Sequence, residues 1–125
     1  MLDEIVAQAR AEAPNECCGI VATRDGEAVE LFKTRNAAAS PLRYEIDPKD
    51  QLRAFDELDE AGLDLGIIYH SHTRSAPEPS QTDINLAFYP DALYVIVGLK
   101  GEQPDVRAWR IADGQVSEAQ LDVVD

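Results

Sequence analysis

Tyr69-His70-Ser71-His72-Thr73-Arg74-Ser75-Ala76-Pro77-Glu78-Pro79-Ser80-Gln81-Thr82-Asp83 is the stretch around which the rest of the chain can be ordered. It follows the apolar run Leu65-Gly66-Ile67-Ile68-Tyr69 and contains both histidines of the protein. On an extended chain alternate side chains share a face, so His70 and His72 point the same way and can reach one ion. The same H-x-H spacing also suits two ordinary surface or turn histidines.

Downstream, Ser80-Gln81-Thr82-Asp83 precedes Ile84-Asn85-Leu86-Ala87-Phe88. A serine followed three residues later by an acid resembles a capping box that starts a helix, with Asp in place of the usual Glu or Gln. On that reading Ser80 caps and Asp83 favours the positive end of the helix. A carboxylate fixed in a first helical turn is equally well placed as a third metal ligand. Two neutral histidines and one aspartate, with water in the fourth position, make an open catalytic zinc site. Pro77 and Pro79 restrict the loop between the histidines and the helix.

The order His70, His72, Ser80, Asp83 resembles the motif of the JAMM (MPN-plus, or JAB-domain) zinc metalloproteases. That family also carries an upstream glutamate on its first helix–strand unit, and Glu16 in Pro14-Asn15-Glu16-Cys17-Cys18-Gly19 matches it. Alone, Glu16 reads as a solvated acid in a loop. The similarity covers nearly the whole chain and is nearest to the small bacterial branch that acts on ubiquitin-like sulfur-carrier proteins, including release of cysteine from a carrier's C-terminus. Thr73 departs from the pattern, since many relatives have Pro after the second histidine; this touches loop shape rather than a ligand.

The resemblance implies one zinc per chain on His70, His72 and Asp83, with Glu16 as general base and Ser80 as an oxyanion donor. It implies hydrolysis of an amide bond at the Gly-Gly-like tail of a ubiquitin-like sulfur carrier, with cysteine, a lysine side chain or another amine leaving. The chain has no room for the long insertions of larger deubiquitinating relatives. The alternative is a non-catalytic MPN-type scaffold or binding module, because the fold also occurs without metal. The intact ligand set favours the enzyme.

A length of 125 residues indicates one domain over 1–125, large enough for a core without disulfides. The net charge of −13, from 24 acids against 11 Lys plus Arg, argues against nucleic acid and anionic membrane surfaces as partners. No segment approaches a transmembrane length, and the acidic start Met1-Leu2-Asp3-Glu4 does not resemble a secretory signal, which makes the cytoplasm the expected location.

Leu2, Ile5, Val6 and Ala9 form one helical stripe closed by Pro14. Strands are expected over Cys18 to Thr23, Ala28 to Phe32, Leu65 to Tyr69 and Ala92 to Leu99, the last central, with a brief one at Tyr44-Glu45-Ile46. Asp47-Pro48 starts a second helix with Leu52, Phe55, Leu58 and Ala61 on its apolar side, ended by Gly62. Val106 to Ile111 and Gln115 to Val124 read as a hairpin about Asp113-Gly114. This order suggests an α+β fold, a mixed sheet flanked by helices. The family resemblance implies a three-layer αβα, cytidine-deaminase-like form.

Cys17 and Cys18 are adjacent and are the only cysteines, which disfavours a bridge; alternation puts one thiol on each face, one filling the core and the other free to line the site. Trp109 and the tyrosines are expected to pack. The absence of G-x-S-x-G and of P-C-x-x-C disfavours a serine hydrolase and a zinc nucleoside deaminase.

Overall fold

The computed structural model describes residues 1–122. Helix α1 (Leu2–Glu12) leads into strand β1 (Cys18–Arg24) and its antiparallel neighbour β2 (Glu27–Thr34). Helix α2 (Pro48–Ala61) precedes β3 (Asp64–His72), and a single helical turn, α3 (Gln81–Asn85), separates β3 from β4 (Leu93–Gly98). The hairpin β5 (Asp105–Ala112) and β6 (Gln115–Ala119) completes one six-stranded sheet in the order β2-β1-β3-β4-β5-β6. Every pairing is antiparallel except the central β3–β4 pair. That parallel step needs a crossover, and the crossover is the segment 73–92 that follows the histidines and carries α3.

Strand alternation divides the core into two layers. Val21, Tyr69, Val95 and Val97 face α1, where Ile5 and Ala9 are buried against them. Gln8 is buried with them and satisfied, its amide nitrogen donating to the Cys18 carbonyl at 3.1 Å and its oxygen accepting from the Tyr69 hydroxyl. On the opposite face Ile20 and Ala22 pack on Ala54 and Leu58 of α2, and Cys18, Tyr44, Ile68, Tyr94 and Ile111 form a second cluster. Helices therefore lie on both faces of a mixed sheet, the expected α+β arrangement.

The second helix begins and ends as its sequence dictates. The Asp47 carboxylate accepts from the N–H groups of Lys49 and Asp50, Pro48 occupies the first turn, and Gly62 takes the left-handed conformation at φ 67°. Its apolar side is narrower than expected: Ala54 and Leu58 are buried, whereas Leu52 is 63% exposed. Tyr44-Glu45-Ile46 is not a strand; it contributes one isolated bridge, Asn36 to Ile46. Asn36 organises this region, donating from Nδ2 to the Glu16 and Arg43 carbonyls and accepting at Oδ1 from the N–H groups of Ala38 and Glu45. β6 stops at Ala119, short of the expected Val124, and Val123 and Val124 lie outside the described residues. No helix among the described residues is long and apolar enough to cross a membrane.

Candidate metal centre

The strand that carries the histidines runs through both of them, so the extended geometry inferred from H-x-H holds at His70 and His72. Both are buried, at 1% and 4% exposure. Asp83 joins them from the first turn of α3, where Ser80 Oγ accepts the Asp83 N–H at 3.0 Å and the Ser80 N–H donates to Asp83 Oδ2 at 2.9 Å. This complete capping box fixes the carboxylate as well as the helix end. The helix itself is shorter than the apolar run Ile84 to Phe88 suggests, ending at Asn85.

The three side chains meet at one point. His70 Nε2 lies 3.2 Å from His72 Nε2, and Asp83 Oδ2 lies 3.1 Å from each. His72 Nδ1 donates to the Ala76 carbonyl at 2.8 Å, so neutral His72 presents a bare lone pair at Nε2. That lone pair and an anionic oxygen would repel at such a distance unless a cation or proton sits between them. Tetrahedral zinc bonds of about 2.0–2.1 Å set ligand atoms roughly 3.3 Å apart, close to this triangle. The donor set, two imidazoles and one carboxylate, therefore fits a zinc ion.

Glu16 stands beside the triangle because of strand register. Cys18 pairs with His70, and the Ser71 N–H donates to the Cys17 carbonyl at 3.1 Å, which carries the contact between the strands one residue further and brings Glu16 to the histidines. The Ser71 hydroxyl, between the two histidines, accepts the Cys17 N–H at 2.8 Å. The Glu16 N–H donates to the Ser40 carbonyl at 2.9 Å. A carboxylate oxygen of Glu16 and one ring nitrogen from each histidine lie within 4.8 Å of one another, a looser grouping than the His–His–Asp triangle. Glu16 Oε1 is buried without a hydrogen-bond partner among the described residues, as suits a group that receives a proton from a bound molecule.

Burial pushes the Glu16 carboxyl up to about 7, with His72 opposing and Asp83 reinforcing the rise. Burial also lowers His70 and favours its neutral, metal-binding form, although Asp83 opposes this. At His72 burial is outweighed by Asp83 and the Ala76 carbonyl, so its pKa rises. Burial would raise Asp83 as well, but the two imidazoles and the Ser80 N–H hold it well below the usual carboxylate range. Without metal, a proton on His72 can therefore bridge to Asp83.

The two cysteines do point to opposite faces, and neither thiol enters the triangle. Cys17 fills the α1 side of the core. Cys18 lies beside His70, but its Sγ is 3.3 Å from Thr34 Oγ1 and 3.6 Å from the Arg35 carbonyl. Burial raises their thiols to about 11 and about 12. Tyr44 stacks on His70 with ring centroids 4.3 Å apart.

Sequence reasoning did not single out Ser71, Asn36 or the Ala76 carbonyl. Asn36 carried the one available signal, an amide among turn-forming residues. The roles of Ser71 and Ala76 depend on register and loop shape, which residue type does not encode.

The chain is similar to known proteins in both sequence and fold. Residues 1–112 match the family described as prokaryotic homologs of the JAB domain. The CysO-cysteine peptidase of Mycobacterium tuberculosis is 36% identical over 128 residues, covering 100% of this chain and 88% of the relative. The desampylase of Haloferax volcanii is 36% identical over 106 residues, covering 79% of this chain and 76% of the relative. The solution structure of a Desulfitobacterium hafniense protein superposes with a TM-score of 0.81 at 31% identity, covering 95% of this chain and 85% of that one. The chain belongs to the family of prokaryotic JAB-domain homologs.

Proposed function

We propose that this chain is a zinc-dependent peptidase or isopeptidase that hydrolyses an amide bond at the C-terminal tail of a ubiquitin-like sulfur-carrier protein. The observation that carries the reading is the buried triangle of His70, His72 and Asp83, 3.1–3.2 Å on a side, with the carboxylate of Glu16 next to it. A relative that is a CysO-cysteine peptidase and another that is a desampylase support hydrolysis of this kind. No position of the set is missing, so no observation favours a non-catalytic scaffold.

His70, His72 and Asp83 would hold the ion. When bound, zinc supplies Lewis acidity, polarising a carbonyl oxygen and making water acidic enough to lose a proton near neutral pH. Glu16 takes the proton from the attacking water and delivers it to the departing amine. The Ser80 hydroxyl accepts the Asp83 N–H through a lone pair, which leaves its own O–H to donate to the oxygen that turns negative. A groove of about 410 Å³, lined by Tyr44, Ile46, Leu86, Phe88 and Tyr94 among others, adjoins the site where Tyr44 stacks on His70. Its open, partly apolar walls suit a thin extended tail.

The test combines metal analysis with cleavage of carrier proteins joined through their tail to cysteine or to a lysine side chain. Purified protein should contain about one zinc per chain, and at least one adduct should be cleaved in a chelator-sensitive way. Zinc retained undiminished after substitution of both His70 and His72 would remove the ligand assignment. Zinc-loaded protein that cleaves neither adduct would remove the substrate assignment.

A further inference from the structure

Resting on the reading that His70, His72 and Asp83 bind zinc, we infer that Trp109 is a positioning residue for the site, holding in place the loop whose carbonyl orients His72. Trp109 lies on β5, a strand that supplies none of the proposed ligands or catalytic groups. Its indole Nε1–H donates to the Pro77 carbonyl at 3.0 Å. The preceding residue in the loop, Ala76, provides the carbonyl that accepts His72 Nδ1–H at 2.8 Å.

Pro77 is fixed from below as well. It is buried, and a Cβ added to Gly98 would come within 2.9 Å of its ring, so the proline sits directly on the backbone at the end of β4. The Leu99 N–H just beyond donates to the His72 carbonyl at 3.0 Å. One short stretch of loop is thus held between a glycine floor and an indole clamp. The adjoining carbonyl selects the His72 tautomer that leaves Nε2 free to bind metal. The half-buried indole also packs in the cluster that seats Ile84 of α3, next to Asp83. Removing the clamp loosens the loop that holds the Ala76 carbonyl, the direct partner of His72. Loss of such a direct partner typically costs about 10–100-fold in metal affinity, and the lower end of that range is the effect expected one step further out.

Trp109→Phe keeps an aromatic ring and removes only the N–H donor. Zinc affinity, measured by competition with a chromogenic chelator on wild type and on this variant, should fall roughly ten-fold. The melting temperature of the zinc-free protein should change little. Because the chain has a single tryptophan, its indole ¹H–¹⁵N signal is unique, and zinc addition to the wild type should shift it and slow its hydrogen exchange. An unmoved indole signal on zinc binding, or a folded Trp109→Phe that binds zinc as tightly as wild type, overturns the positioning role alone. Wild-type protein that takes up no zinc overturns the metal reading and this inference with it.

Discussion

Ser80 and Asp83 exchange hydrogen bonds from backbone to side chain: Ser80 Oγ accepts the Asp83 N–H at 3.0 Å while Asp83 Oδ2 accepts the Ser80 N–H at 2.9 Å. The same carboxylate oxygen faces both histidines at 3.1 Å. Helix capping and the proposed metal geometry therefore share one pair of side chains.

Ser80→Ala should cost about 1 kcal/mol of stability through the lost cap. If the Ser80 O–H also donates to the oxyanion, kcat should fall by roughly 10²-fold with a smaller change in substrate binding. Ser80→Asp caps without a donor and should restore melting temperature but not rate, whereas Ser80→Asn caps and keeps an amide N–H able to donate, so any rate it recovers reads out the donor role. Single-turnover kinetics and melting curves on the three variants separate the roles, and a normal rate with lowered melting in Ser80→Ala would leave Ser80 as a cap only.

Glu16→Gln should keep zinc and lose hydrolysis. Burial raises this carboxyl from its ordinary 4.5 to about 7, so the folded, metal-free protein holds the proton more tightly than the unfolded chain. Its contribution to stability is then present below pH 4.5 and lost as pH rises through 7. Metal-free Glu16→Gln should accordingly melt above wild type at pH 8, with the difference closing at low pH. Equal melting across that range would show that Glu16 is not desolvated.

Zinc affinity should weaken as pH falls. Asp83 and the Ala76 carbonyl favour protonated His72 against the cost of burial, and that proton must leave before Nε2 can coordinate. The expected slope is up to roughly ten-fold per pH unit for each proton displaced. Chelator competition at pH 5.5, 6.5 and 7.5 gives the slope, and an affinity independent of pH would contradict the donor assignment.

Much of this site could be read directly, because its chemistry lies in a strand end, a loop and a helical turn that follow one another. Alternation placed His70 and His72 on one face, and the Ser80–Asp83 spacing marked the capping box. The helix after it is shorter than its composition suggests: Ile84 to Phe88 looks apolar enough to continue, yet Leu86 and Phe88 are 41% and 69% exposed beside the groove. Leu52 has the helical spacing of the core side, yet the sheet beneath receives Ala54, Leu58 and, in part, Phe55 instead. Glu16 could be placed only through family resemblance, since its position depends on a β1–β3 register that no local pattern encodes.

Thr73 shows what a departure from the family pattern can mean. Its hydroxyl donates to the Pro14 carbonyl at 2.9 Å, tying the end of the histidine strand to the segment that leads to Glu16. A proline there could not make this bond. Thr73→Val should leave zinc content unchanged and lower kcat modestly, several-fold rather than a hundred-fold. Restoration by Thr73→Ser would assign the effect to the hydroxyl, and an unaltered rate in Thr73→Val would make the bond incidental.

His70 to Asp83 is one contiguous piece of chain, whereas Glu16 lies on the far side of β2 and α2 in sequence. The proposed ligand set closes a short loop; the proposed base joins it only when β1 has docked on β3, a longer closure with a larger entropic cost. A nascent or partly opened chain could thus capture metal before it can cut anything. On the proposed function, metal loading and proteolytic competence would then be separable, and a copy whose β1 had yet to dock would carry the ligand set without its base.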